Sequence, residues 1–304
     1  MTSSRSADRD DPGFRPLPPS TREGVPLCRH TSLRVGGRAR YFAKPGTVED
    51  VADVTSRARE RDLATVILGA GTNTVFGCAE YPGLVLSTRG LRGVGVEGTK
   101  ITAAAGEPLA ELAWSACERG LSGLEWACGI PGTVGGAVAM NAGAHGNDMA
   151  AVLASAGVLT DGGLIAVPAK LLGLGYRTSA LRTGDLCGVV VEVALALRRE
   201  DPQMCLDRAR SLIAERLNRF PIGASAGCIF RNLGSGPTAG ELLDLAGCKG
   251  LRVGQAIVSD WHANVIINEG TGNADDVLEL IEQMKKRVLD AFGVELHEEV
   301  VVYP

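Results

Sequence analysis

From Thr47 the apolar positions recur at helical spacing. Val48, Val51, Ala52, Val54 and Ala58 share one face, Thr47 stands as N-cap, and Glu49 and Asp50 fall in the first turn, where carboxylates offset the exposed N–H groups. This predicts a helix followed by a strand over 65–68, a β-α-β unit with the segment upstream. Residues 30–37 read as a short strand closed by a glycine pair, with residues 41–45 as its partner. Residues 83–87 predict a further strand and residues 95–105 a hairpin. The helical period returns over 108–119 through Leu109, Leu112, Ala113 and Ala116, and Gly120 is placed to end it. Residues 152–159, 164–167 and 189–197 have strand length and are separated by turns such as Asp161-Gly162. After Pro202 the pattern predicts a helix near 204–217, a strand at 228–230, a helix near 239–246 and a strand at 263–268. An amphipathic helix near 273–292 follows, capped by Asn273 and burying Val277, Leu280, Ile281, Met284, Val288 and Leu289, and a last strand covers 299–303.

The elements predict an α+β chain. Residues 1–24 hold few large apolar side chains to offset the entropy of ordering and read as a flexible tail. Three regions follow: a first subdomain over 25–90, a second, mostly of sheet, over 91–202, and a third over 203–304.

Two stretches break the periodicity. In residues 129–143 five glycines and one proline interrupt an apolar segment, a composition that favours neither helix nor strand. Glycine lets backbone N–H groups converge on a ligand without a Cβ in the way, so a phosphate-bearing cofactor is one reading; turns linking strands with nothing bound are the other. The other stretch, Gly69-Ala70-Gly71-Thr72-Asn73, comes first in the chain, follows the strand at 65–68 directly and can cradle a diphosphate. It lacks the third glycine of the Rossmann fingerprint, so a nucleotide site without a Rossmann fold is expected.

The composition narrows the field. A chain of 304 residues, 45% hydrophobic, can bury a full core, and its net charge of −4 is spread without a basic stripe for nucleic acid or a cluster for membrane phosphate. The eight cysteines show no CxxC pair and no Cys/His spacing that would hold a metal, and no apolar run reaches about 18 residues. Reduced thiols, a cytoplasmic setting and small anionic ligands are expected.

Several segments in register resemble the UDP-N-acetylenolpyruvoylglucosamine reductase family, nearer its type II form. They are residues 30–37, Gly69-Ala70-Gly71-Thr72-Asn73, residues 123–132 onward, Tyr176-Arg177-Thr178-Ser179, Ala226-Gly227-Cys228-Ile229-Phe230-Arg231-Asn232 and Glu299-Val300. The resemblance implies an FAD-binding fold of the vanillyl-alcohol-oxidase or PCMH type followed by a substrate domain. It implies non-covalent FAD, NADPH as co-substrate and a UDP-sugar substrate; a monomer is expected, and the charge distribution speaks against nucleic-acid or membrane partners. Flavin contacts would come from Gly69, Ala70, Gly71, Thr72, Asn73, Gly129, Pro131, Gly132, Thr133, Gly135, Gly136, Ala137, Asn141 and Gly143. Substrate contacts would come from Tyr176, Arg177, Ser179 and Asn232, and catalysis from Arg177, Cys228 and Glu299.

Hydride addition beside a carboxylate builds an enediolate, so a cation at the carboxylate and an acid at C2 are what the chemistry asks for. Arg177 supplies a planar fork for the first. Cys228 stands where the family has the serine that protonates C2. Further departures are Leu233 for a usual proline, Gln255 for glycine and Trp261 for lysine. Besides reduction of UDP-N-acetylglucosamine enolpyruvate, the sequence leaves open a shift to another enolpyruvyl or unsaturated nucleotide and a flavin-binding protein without turnover.

Overall fold

The computed structural model describes residues 15–304. Its first sheet has four strands in the order Arg22–Pro26, Arg38–Ala43, Glu80–Ser87 and Thr65–Leu68, the first pair antiparallel and the others parallel. Helix Val48–Glu60 crosses over between parallel strands, as such connections require. Thr47 caps it by accepting from Asp50 N, and Val51, Val54 and Ala58 are buried.

Residues 30–37 do not form the expected strand. Arg34 (φ 59°) and Gly36 (φ 122°) lie in the left-handed region, which an extended strand cannot contain. The partner of Arg38–Ala43 is instead Arg22–Pro26, which buries Val25 beside Leu27. That strand begins inside the stretch expected to be a tail, and Arg57 Nη1 donates to Pro16 O at 2.6 Å, so order starts before Val25. The rest of the expected tail, residues 1–14, lies outside the described residues.

The second sheet is five-stranded and antiparallel throughout, in the order Gly163–Pro168, Leu153–Thr160, Val189–Ala196, Lys100–Ala104 and Val94–Glu97. Helix Leu109–Glu118 packs with helix Pro202–Arg219, whose buried Cys205 and Ala209 join the same core as Leu112, Ala116 and Val193. Packing therefore sets this helix with the second sheet, although the composition shift at Pro202 grouped it with the third region. Arg208 fastens it: its guanidinium reaches Glu125 Oε1 and Glu200 Oε1, each at 2.6 Å.

The third region is a four-stranded antiparallel sheet in the order Ala224–Cys228, Val265–Asn268, Ala256–Val258 and Arg252–Val253. It is covered by helices Ala239–Leu245 and Ala274–Phe292, each with a full capping box, at Thr238/Glu241 and Asn273/Asp276. The last strand, Val301–Tyr303, leaves this region and pairs in parallel with Thr74–Phe76, beside the first glycine loop. No helix among the described residues is long and apolar enough to cross a membrane.

Candidate active site

A cleft of about 1010 Å³ opens between the two glycine stretches, lined by Gly69–Asn73, residues 128–133 and 135–137, Arg177, Arg182, Arg216, Cys228, Glu299 and Tyr303, among others. The first loop turns off the end of strand Thr65–Leu68. None of its backbone N–H groups, from Gly69 to Asn73, donates to an acceptor among the described residues, and the same holds for Gly129, Gly132 and Thr133. Donors lining a cleft in this way need an acceptor from a ligand or solvent.

The second stretch departs from expectation, because it contains a short helix, Val134–Ala139. Thr133 supplies the cap its glycines cannot: Thr133 Oγ1 accepts from Gly136 N at 3.3 Å. The two loops approach closely where a Cβ on Gly69 would stand 2.5 Å from Thr133 Oγ1. Gly135 is needed for packing, since its Cβ would lie 2.7 Å from Ala105 Cβ, and Gly135 N donates to Ala105 O at 2.9 Å.

Across the cleft from different elements come Arg177, Cys228 and Glu299. Arg177 Nε lies 3.0 Å from Glu299 Oε1, yet it is buried without an aligned hydrogen bond among the described residues. It is thus a cation in charge contact with a carboxyl. Its backbone is left-handed (φ 54°), a strained state for a non-glycine residue. Burial pushes the Glu299 carboxyl above its ordinary range, while Arg177, Arg182 and Arg231 pull it back. Burial likewise pushes the Cys228 thiol up to about 12; Glu299 adds to this and Arg177 and Arg216 oppose it. Cys228 therefore keeps its proton at neutral pH.

Other expected site residues are engaged elsewhere. Ser179 is buried, donates to Ala139 O at 2.6 Å and caps the short helix Ala180–Thr183, so its hydroxyl does not line the cleft. Asn141 is buried and donates to Asp148 Oδ2 and Gly175 O at 3.0 and 2.9 Å, while its own Oδ1 accepts from Ala150 N. It thereby holds the segment leading to Arg177. Gly143 allows close approach to Asn147 and Asp148. Asn73 spends its side chain on Glu299 O at 3.1 Å, although its backbone lines the cleft. Tyr176, largely exposed, accepts from Asn232 N at 3.4 Å, and Asn232 Oδ1 accepts from Ala239 N, so these two meet beside the cleft.

Arg182, Arg216 and Tyr303 line the cleft and escaped the sequence reading. The only local signal for Arg182 is its place five residues after Arg177. Arg216 lies over the Phe220 ring at 4.5 Å, and that ring stacks on His262 at 4.9 Å. Trp261, in the position where lysine was expected, is exposed and donates from Nε1 to Asn218 O at 2.9 Å. Glu125, Glu200 and Cys205 lie close enough to share a cation, but Arg208 already neutralises both carboxylates.

Comparison with known proteins agrees with this layout. Residues 39–167 match the model of an FAD binding domain, and residues 218–303 match that of the C-terminal domain of UDP-N-acetylenolpyruvoylglucosamine reductase. A UDP-N-acetylenolpyruvoylglucosamine reductase of Synechococcus elongatus is 41% identical over 280 residues, 91% of this chain and 93% of its own length. The chain belongs to the UDP-N-acetylenolpyruvoylglucosamine reductase family. Relatives of the same description from Chloroflexus aggregans and Bacillus subtilis are 39% and 37% identical, covering 94% and 91% of this chain and 98% and 92% of their own. The crystal structure of the reductase from Thermus caldophilus superposes with a TM-score of 0.79 at 36% identity, covering 93% of this chain and all 100% of that one. The family fold thus spans the first sheet to the last strand, and the expected α+β class holds.

Proposed function

We propose that this chain is an FAD-dependent reductase that uses NADPH to convert UDP-N-acetylglucosamine enolpyruvate to UDP-N-acetylmuramate for peptidoglycan precursor synthesis. The observation that carries the reading is the convergence, in one cleft, of a half-buried guanidinium, a carboxyl raised by burial and a protonated thiol. The cleft also fits the cofactor: its loop N–H groups lack protein acceptors, and Gly69 and Thr133 approach too closely for a side chain between them. Gly69–Asn73, Gly129, Gly132 and Thr133 would hold the diphosphate.

When bound and reduced by NADPH, FAD would supply the hydride for the enolpyruvyl double bond. Arg177, which lines the cleft, takes the substrate carboxylate on its guanidinium and stabilises the charge that develops there. Glu299, whose carboxyl burial raises above its ordinary range, shares that load. Cys228 gives a proton to C2; with a pKa of about 12 it is held as the thiol and is still a stronger acid than the hydroxyl of serine. The substrate nucleotide lies against Tyr176 and Asn232, which are already joined beside the cleft. The enzyme works in the cytoplasm as a monomer, and its eight free cysteines accord with a reducing compartment.

The test is a two-stage anaerobic assay on the purified holoprotein. NADPH should bleach the flavin band near ~450 nm. Added UDP-N-acetylglucosamine enolpyruvate should then restore it, with formation of UDP-N-acetylmuramate. Bleaching without recovery would sink the substrate assignment, and a flavin that NADPH leaves oxidised would sink the reductase itself.

A further inference from the structure

We propose that Arg182 is a positioning residue for Glu299, acting from a junction where both glycine loops meet the last strand. The inference rests on reading Glu299 as an acid of the reductase. The Glu299 backbone carbonyl accepts two side-chain donors, Asn73 Nδ2 at 3.1 Å and Arg182 Nη2 at 3.2 Å. The other arm of the same guanidinium, Nη1, lies 3.0 Å from Met140 Sδ, and Asn73 Nδ2 reaches that sulfur at 4.0 Å. Asn73 O in turn accepts from Val301 N at 3.0 Å. One carbonyl is therefore fixed from the first loop and from helix Ala180–Thr183, and both donors also rest on Met140 at the end of the capped helix. On the carboxyl end of the same residue stands Arg177.

A planar guanidinium suits this place because its two arms meet two acceptors at a fixed angle, and an ammonium on a flexible stem does not. Arg182 also acts through its charge. The groups facing Glu299 are Arg177, Arg182 and Arg231, each pulling its carboxyl pKa down against burial, with the Cys228 thiol across the cleft. Tyr303, raised by burial, is eased by Arg182, while the neighbouring Glu298 is taken up by Lys285 at 3.0 Å. Arg182 makes no side-chain ion pair of its own among the described residues, so its charge is exerted on this cluster.

The test compares Arg182→Met and Arg182→Lys as flavin-loaded proteins, one half-reaction at a time. Bleaching by NADPH needs no proton at C2 and should be unchanged in both. Reoxidation by the enolpyruvyl substrate should slow about 10²-fold in Arg182→Met, the loss expected when a catalytic group is misplaced by about 1 Å. Its alkaline decline should also move to higher pH, because removing a nearby cation lets Glu299 keep its proton longer. In Arg182→Lys the decline should stay where the wild type has it, with less than about a tenfold loss of rate. Wild-type reoxidation in Arg182→Met, equal pH shifts in both variants, or equal slowing of both half-reactions with a lowered melting temperature would each overturn the proposal. If wild-type protein were not reoxidised at all, the functional reading would fail instead. A pH titration of the bound flavin's absorbance would then decide: the transition must vanish in Glu299→Gln and move upward in Arg182→Met, and anything else removes Arg182 from this role.

Discussion

Gly69→Ala tests how the two cofactor loops are held against each other. The new Cβ would stand 2.5 Å from Thr133 Oγ1, against 3.4 Å for ordinary contact, so the loops must part by about 0.9 Å. Thr133 has little room to yield, because it is buried and its hydroxyl caps helix Val134–Ala139. A displacement of this size in a site that converges on one diphosphate is expected to weaken FAD binding about 10-fold to 100-fold, or roughly 1.4 to 2.7 kcal/mol. Thr133→Ala alone removes a cap and should cost about 1 kcal/mol of stability, with a smaller loss of affinity. In the double variant the clashing oxygen is gone, so adding Gly69→Ala to Thr133→Ala should cost little more. Flavin fluorescence titrations of the four proteins complete the cycle. Wild-type affinity in Gly69→Ala, or additive losses in the double variant, would refute the reasoning.

Two further outcomes are expected. Cys228→Ser should retain substrate-driven reoxidation, whereas Cys228→Ala should lose about 10² to 10⁴-fold of it while NADPH still bleaches the flavin; a fast alanine variant would remove the thiol from proton transfer. Arg208→Met should lower stability by about 2 kcal/mol, less than for a fully buried pair because Arg208 is 42% exposed while Glu125 is nearly enclosed. Burial pushes the Glu125 carboxyl up, but its own and Gly123's backbone N–H, Ser122 and Arg208 more than reverse this and leave it below its ordinary range. Its stabilising effect is therefore full above the ordinary carboxylate pKa and is lost as pH falls through the depressed one. Urea melts across acid pH should show that loss beginning at higher pH in Arg208→Met, and coincident profiles would contradict the assignment.

Elements with a clean period and a cap were legible in the sequence. Thr47 and Asn273 each announced a helix that forms, because the apolar stripe and the cap agree, although Leu289, expected on the buried face of the second, lies exposed in its last turn. The strand expected at 30–37 failed because alternation there competes with left-handed positions at Arg34 and Gly36, and a φ angle carries no mark in hydropathy. The helix at Val134–Ala139 was hidden by glycines that disfavour it locally and are tolerated for close packing on Ala105. In the candidate site, glycine-rich composition pointed to backbone donors and so found both loops. Asn141 and Ser179 share those motifs, yet their polar atoms serve neighbouring backbone, a distinction that only three-dimensional partners reveal. Arg182 and Arg216 went unseen because nothing local distinguishes an arginine turned into a cleft from one in water.

The pairing of Val301–Tyr303 with Thr74–Phe76 joins Asn73 to a residue 226 positions later. A contact of that span ties Glu299 to the first loop from the far end of the chain, so whatever loosens the last strand also unseats that carboxyl from the cleft.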